Sequence, residues 1–301
     1  MRPALIWSSD YACDIGLHVF PIQKYALAYE SLVADGTLAL ADVLAPGEPG
    51  RELLALAHTQ AYLDDLYALR WTPRTQWSEM PLTREIIDAF ARQAAGTTTA
   101  ARAALTRGVA AHLGGGLHHA FADKAEGFCY LNDLAIAVRA MQHEGRITRA
   151  AVVDLDVHQG NGTAHIFADD PSVFTLSIHQ ERNYPAPKMN SDLDIGLDDG
   201  TGDAAYMAAL MPALEQVWAH APELVLYQAG ADPYEHDQLG GLALTLSGLA
   251  ARDAAVIGGC VQRGIALVTT LGGGYADKVS DTARIHATTT RLAIEAASQR
   301  G

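Results

Sequence analysis

Short apolar runs alternate along this chain with longer segments whose apolar residues recur at helical spacing. The runs 108–113, 150–155, 173–178, 224–228 and 265–271 each close on glycines or polar residues and predict buried strands. The stretches 131–142, 203–220, 247–262 and 280–297 predict amphipathic helices between and after them. Strand and helix in alternation imply right-handed crossovers and a mostly parallel sheet covered on both faces. The fold class expected is therefore α/β with three layers. Nothing resembling a linker, an internal repeat or a low-complexity tract divides 1–301, so a single domain is expected. The glycine- and acid-rich stretch 196–202 predicts a surface turn.

In open parallel sheets ligands bind beyond the carboxyl ends of the strands. Every chemically suggestive cluster falls at such an end. Gly114-Gly115-Gly116-Leu117-His118-His119 follows the first run, Asp154-Leu155-Asp156-Val157-His158 ends the second, and Ser177-Ile178-His179 ends the third. Ala229-Gly230-Ala231-Asp232 follows the fourth and Gly272-Gly273-Gly274-Tyr275 the fifth.

If the strand stays extended, Asp154, Asp156 and His158 share one face and converge on one small volume. Carboxylate and imidazole donors suit a divalent ion such as zinc or ferrous iron. The plainer alternative is a polar strand end whose acids cap helices. Asp232, from a neighbouring strand end, is the natural third ligand, with a turn or N-cap role before Pro233 as its alternative. Three protein ligands leave a coordination position open, the mark of a site that acidifies water and polarises a carbonyl. Asp154, without metal duty, can accept from an imidazole and orient it, which makes His118 and His119 acid–base candidates. Tyr275, on its glycine-rich turn, is either a packing residue or a donor to a developing oxyanion.

Charge narrows the partners. Lys and Arg number 21 against 35 Asp and Glu, a net charge of −14, which argues against nucleic acid and tolerates a basic substrate. Three widely spaced cysteines form no disulfide framework, so a reducing cytoplasm is expected. The N-terminal segment carries no signal-peptide pattern, and no apolar run is long enough to suggest a membrane span.

These motifs, with Gly127-Phe128-Cys129-Tyr130-Leu131-Asn132-Asp133 and His158-Gln159-Gly160-Asn161-Gly162, resemble the zinc-dependent histone deacetylase superfamily, which includes acetylpolyamine amidohydrolases and acetoin-utilisation proteins. Gln159, Asn161 and the segment 237–242 look most like its class IV branch and bacterial relatives. The resemblance implies the arginase/deacetylase-like fold with an eight-stranded sheet. It implies zinc on Asp156, His158 and Asp232, acid–base roles for His118 and His119, and Tyr275 on the substrate carbonyl. Asp154 would pair with His118. Asn161 stands where several members carry an aspartate behind the second histidine, so less charge is expected behind His119. Gly127, Phe128 and Tyr184 would wall a substrate tunnel, and Cys129 is expected to be buried and inert. A potassium ion would take Asp154, carbonyls of Asp156 and His158, and Ser177 with Ile178. Glu79, in the rim segment 76–82, stands near where members carry a substrate-gripping acid.

The function implied is hydrolysis of an acyl amide, acetyl or longer, on an amine such as a lysine side chain. Deacetylation of a polyamine or another small amide is the alternative within catalysis. A non-catalytic protein that binds acyl ligands is the alternative outside it, against which the complete set His118, His119, Asp156, His158, Asp232 and Tyr275 speaks.

Overall fold

The structure, a computed structural model, describes residues 2–298; Met1 and 299–301, the ends of the expected single unit, lie outside the described residues. The first third holds β1 (Ala4–Ile6), α1 (Lys24–Ala34), β2 (Asp42–Leu44), α2 (Arg51–Leu54), α3 (Gln60–Tyr67) and α4 (Arg84–Arg107). The middle follows with β3 (Val109–His112), α5 (Asp133–His143), β4 (Ala150–Asp154), α6 (Asn161–Phe167), β5 (Val173–Gln180) and β6 (Leu193–Leu197). The last part is α7 (Asp203–Ala219), β7 (Leu224–Gln228), α8 (Leu246–Arg263), β8 (Ala266–Thr270) and α9 (Val279–Ser298). All five predicted strands and four predicted helices are present. The segment 196–202 is only partly a turn, because its first two residues complete β6.

The eight strands form one parallel sheet in the order β2-β1-β3-β8-β7-β4-β5-β6. Strand alternation makes the layers. In β4, Ala150 and Val152 join one core cluster with α1, α4 and α5, while Ala151 and Val153 join a second with α7 and α8. In β7, Leu224 and Leu226 divide from Val225 and Tyr227 in the same way. Burial on both faces explains why these strands read as continuous apolar runs. Each fully buried Leu or Val contributes about 1.5–3 kcal/mol.

The strand order also positions the site. From β4 the chain moves outward to β5, whereas from the adjacent β7 it moves the opposite way to β8. This is a topological switch point, where connections leave in opposite directions and open a crevice at the carboxyl ends. Asp156 and His158 follow β4, and Asp232 follows β7. Cys13, Cys129 and Cys260 are all buried and not disulfide-bonded. Among the described residues no helix is long and apolar enough to cross a membrane.

Candidate active site

β4 ends at Asp154, and Asp156 and His158 lie in the bend beyond it. The expectation that one extended strand carries both is therefore corrected. The cause is local: Asp154 Oδ1 accepts from the Asp156 N–H (3.2 Å), and Asp156 Oδ1 from the His158 N–H (3.1 Å), so each acid turns the backbone that follows it. Asp232 sits in the turn after β7, and its Oδ1 accepts from the Val157 N–H at 2.8 Å, which ties the two loops together. No helix starts there, so the N-cap alternative falls away.

Ligand atoms of Asp156, His158 and Asp232 lie within 4.8 Å of one another, and all three residues are buried. Asp156 is held by the Gly273 N–H at 2.8 Å. Asp232 Oδ2 is buried without a hydrogen bond; His158 Nδ1 stands 3.3 Å away but outside hydrogen-bond geometry. Burial, then the charge of Asp156, pushes the Asp232 carboxyl well above its ordinary range. Burial disfavours a charged His158, yet the contact of its Nδ1 with Asp156 Oδ1 at 3.2 Å and the charges of Asp156 and Asp232 outweigh it and raise the imidazole to about 10. A buried pocket in which two carboxylates face one imidazole favours positive charge. Two carboxylates and one imidazole fit a divalent cation.

His118 and His119 stand beside this cluster with ring centroids 4.0 Å apart. Their loop is held by Asp133, which accepts from the Leu117 N–H (2.6 Å) and the Gly116 N–H (3.0 Å). Behind them the partners differ: His118 Nδ1 meets Asp154 Oδ2 at 2.7 Å, and His119 Nδ1 meets Asn161 Oδ1 at 2.7 Å. Burial opposes charge on His118, but Asp154 and Asp156 prevail and raise it to about 9. For His119, burial and then the neighbouring His118 and His158 push the pKa well below its ordinary value. The arrangement favours a proton on His118 and disfavours one on His119.

Tyr275 lines the same cavity, its ring 6.4 Å from that of His158 and 6.0 Å from that of Phe128. Burial holds its phenol protonated, well above the usual tyrosine pKa. The Gly272–Gly274 turn is needed because a Cβ at Gly273 would overlap the Asp232 and Asp156 carboxylates. Gly127 and Phe128, both in the left-handed region, form one wall, and a Cβ at Gly127 would strike the His119 ring. Tyr184 packs edge-on against His119, with centroids 5.0 Å apart. Glu79 joins the lining, since the Trp77 and Ser78 carbonyls accept from the Gly127 and Phe128 N–H groups. Burial raises the Cys129 thiol, which keeps it uncharged.

A second, smaller cavity is lined by Asp154, Gly160, Thr163, Thr175, Ser177 and Ser191. Asp154 and Ser177 are register partners of β4 and β5. The Ile178 side chain is in the apolar core, and Asp156 and His158 are among the residues lining the larger cavity.

A model of the histone deacetylase domain matches residues 18–291. The chain belongs to the histone deacetylase family. It is 39% identical over 292 residues to an uncharacterized protein of Picosynechococcus, covering 96% of this chain and 97% of that one. Histone deacetylase 2 of Arabidopsis thaliana is 31% identical over 291 residues, 91% of this chain and 75% of the plant protein. The acetoin utilization protein AcuC of Bacillus subtilis is 32% identical over 254 residues, 76% of this chain and 65% of AcuC. Family membership places the chain among deacetylases acting on amides, with the three-layer fold and a buried Asp/His/Asp site.

Several residues that shape this deacetylase site escape a reading by motif, although one, Asp237, lies in the segment 237–242 that carries part of the resemblance. Lys24 is fully buried and its Nζ donates to the Gly272 carbonyl at 2.6 Å; a lone lysine on an apolar helix face was its only signal. Asp237 accepts from the Tyr275 N–H at 2.6 Å, and Gln228 donates to the Gly116 carbonyl at 2.8 Å. Arg252, buried beside Asp253, donates to the Leu155 and Gly230 carbonyls behind both ligand loops. Glu126 accepts from Asn161 and Tyr184. All of these pairings except those of Arg252 with Gly230 and with Asp253 span more than thirty positions, beyond the reach of local spacing.

Proposed function

We propose that this deacetylase is a metal-dependent amidohydrolase that removes an acetyl or longer acyl group from an amine such as a lysine side chain. The observation that carries the reading is the convergence of Asp156, His158 and Asp232 with His118, His119 and Tyr275 around one buried cavity. A divalent ion held by the first three, zinc by its donor set with ferrous iron as the alternative, would acidify a water and polarise a carbonyl oxygen.

The protein's own groups divide the remaining work. His119 is neutral and bonded at Nδ1, so its Nε2 accepts a proton from the attacking water. His118, held cationic by Asp154, stabilises negative charge and carries a proton for the departing amine. The protonated phenol of Tyr275 donates to the carbonyl oxygen as charge develops there. Phe128 and Tyr184 flank the chain that bears the amide, and exclude water around it. Asp154 and Ser177, at the smaller cavity, suit a structural potassium ion.

The test is a turnover screen of the metal-loaded protein against acyl-lysine peptides of increasing acyl length, acetylated polyamines and small amides. Preferred turnover of acyl-lysine peptides supports the reading. Preference for polyamines moves the substrate class, and binding without turnover of any acyl amide supports the acyl-ligand-binding alternative.

A further inference from the structure

The two histidines differ in what stands behind them, and the difference raises a problem that Asn161 alone does not solve. A carboxylate behind an imidazole can only accept, so it leaves one tautomer. An asparagine amide can turn either its oxygen or its nitrogen toward the ring. With nitrogen inward, His119 Nδ1 becomes the acceptor, Nε2 carries the proton, and the base is lost.

Glu126 removes that freedom. Asn161 Nδ2 donates to Glu126 Oε1 at 2.6 Å, and because the carboxylate offers no donor, the amide nitrogen must face it. The amide oxygen then faces His119 at 2.7 Å, and His119 Nδ1 must carry the hydrogen. Glu126 is itself fixed, by Lys124 Nζ on Oε2 at 2.5 Å and by the Tyr184 hydroxyl on Oε1 at 3.2 Å. Tyr184 in turn packs edge-on against His119. One carboxylate thus reaches the base by two routes, through Asn161 and through the tunnel wall.

We propose that Glu126 is a positioning residue that sets the tautomer of His119 through Asn161 and anchors Tyr184 beside it. It places the carboxylate one residue further from the imidazole than an aspartate at 161 would. This inference rests on His119 being the base of the deacylase reading, but part of its test does not.

The exchange Glu126→Gln with Asn161→Asp is the deciding variant, since it moves the carboxylate inward and lets the new amide donate to it. Asn161→Asp alone sets two carboxylates against each other at the 2.6 Å contact and should lose activity. Glu126→Ala frees the amide, and kcat should fall about tenfold or more, with a smaller change in KM. The exchanged pair should recover to within about threefold of wild type, a pattern that loss of packing alone does not produce. Independently, selective ¹⁵N-histidine labelling reads the His119 tautomer in the metal-loaded resting protein, with the resonance assigned by its loss in His119→Ala. A single Nδ1–H form is expected in wild type and in the exchanged pair, and a mixture in Glu126→Ala. If Glu126→Ala does not fold, Asn161→Asp and the exchanged pair carry the comparison, with thermal midpoints as control. An unchanged tautomer and unchanged kcat in Glu126→Ala, or an exchanged pair no better than Asn161→Asp, overturns the proposal. If wild type turns over no acyl amide the deacylase reading fails, and the tautomer measurement still decides the role of Glu126.

Discussion

Arg252→Met tests whether the buried ion pair behind the ligand loops holds them in place. The arginine is fully buried, bonded through Nε to Asp253 at 2.9 Å and through Nη1 to the Leu155 and Gly230 carbonyls at 3.1 and 2.8 Å. Methionine fills most of the volume but leaves Asp253 with only the Tyr227 and Thr289 hydroxyls, and leaves both carbonyls unpaired. Breaking one partner of a buried pair typically costs about 3–5 kcal/mol, and each orphaned carbonyl about 1 kcal/mol or more. For a chain of this length about 2 °C of thermal midpoint is lost per kcal/mol, so a fall on the order of 10 °C is expected. Leu155 lies between Asp154 and Asp156, and Gly230 two residues before Asp232. Metal affinity should therefore drop about tenfold as well, as for other groups that orient ligands. The assays are calorimetry of the metal-free protein and chelator competition of the loaded one. Adding Asp253→Asn should return part of the stability, because the uncompensated charge goes. A midpoint shift below about 2 °C, or metal affinity unchanged despite a large shift, refutes the argument.

Three further outcomes follow from the geometry. His119→Ala should lose more turnover than His118→Ala while both keep the metal; equal losses, or metal loss from either, contradict the division between a neutral base and a cationic partner. Tyr275→Phe keeps the ring and removes the hydroxyl, so turnover should fall about a hundredfold with metal content and midpoint unchanged; near-normal turnover would make the tyrosine a packing residue. His112 and His58 are buried and neutral, pushed down to about 3 and about 4 by burial. Their folded pKa values lie below the unfolded one, so they favour the native state above about pH 6.5 and lose stability as pH falls through 6.5 toward 4, on the order of 3 kcal/mol for each imidazole by pH 4. A urea midpoint that stays flat from pH 7 to 4.5 contradicts this.

Much of the fold could be read from the chain because the five central strands are buried on both faces and therefore appear as plain apolar runs. β1 and β2 are three residues each, too short to carry a pattern, and β6 is an edge strand with alternate residues half-exposed. α4 escaped for a different reason. Its buried face is largely alanine, glycine and threonine, and Gly96 lies so close to Tyr11 and His112 that a Cβ would collide with both. Close packing there uses small residues, which hydrophobic periodicity does not register. At the site, the alternation of Asp156 and His158 predicts strand neighbours, and they meet instead because two aspartates turn the chain. The substitution at Asn161 was visible, and the carboxylate behind it was not, because Glu126 reaches it across 35 positions.

The central claim, that Asp156, His158 and Asp232 hold a divalent ion needed for amide hydrolysis, is tested most directly by metal removal and return. Wild-type protein and Asp232→Ala would be stripped with chelator, then titrated with zinc while metal content and release of acetate from an acetyl-lysine peptide are followed together. Wild type should lose turnover on stripping and regain it in proportion to zinc up to one ion per chain, whereas Asp232→Ala should regain neither metal nor turnover. Turnover that survives complete stripping, or full zinc occupancy in Asp232→Ala, would contradict the account.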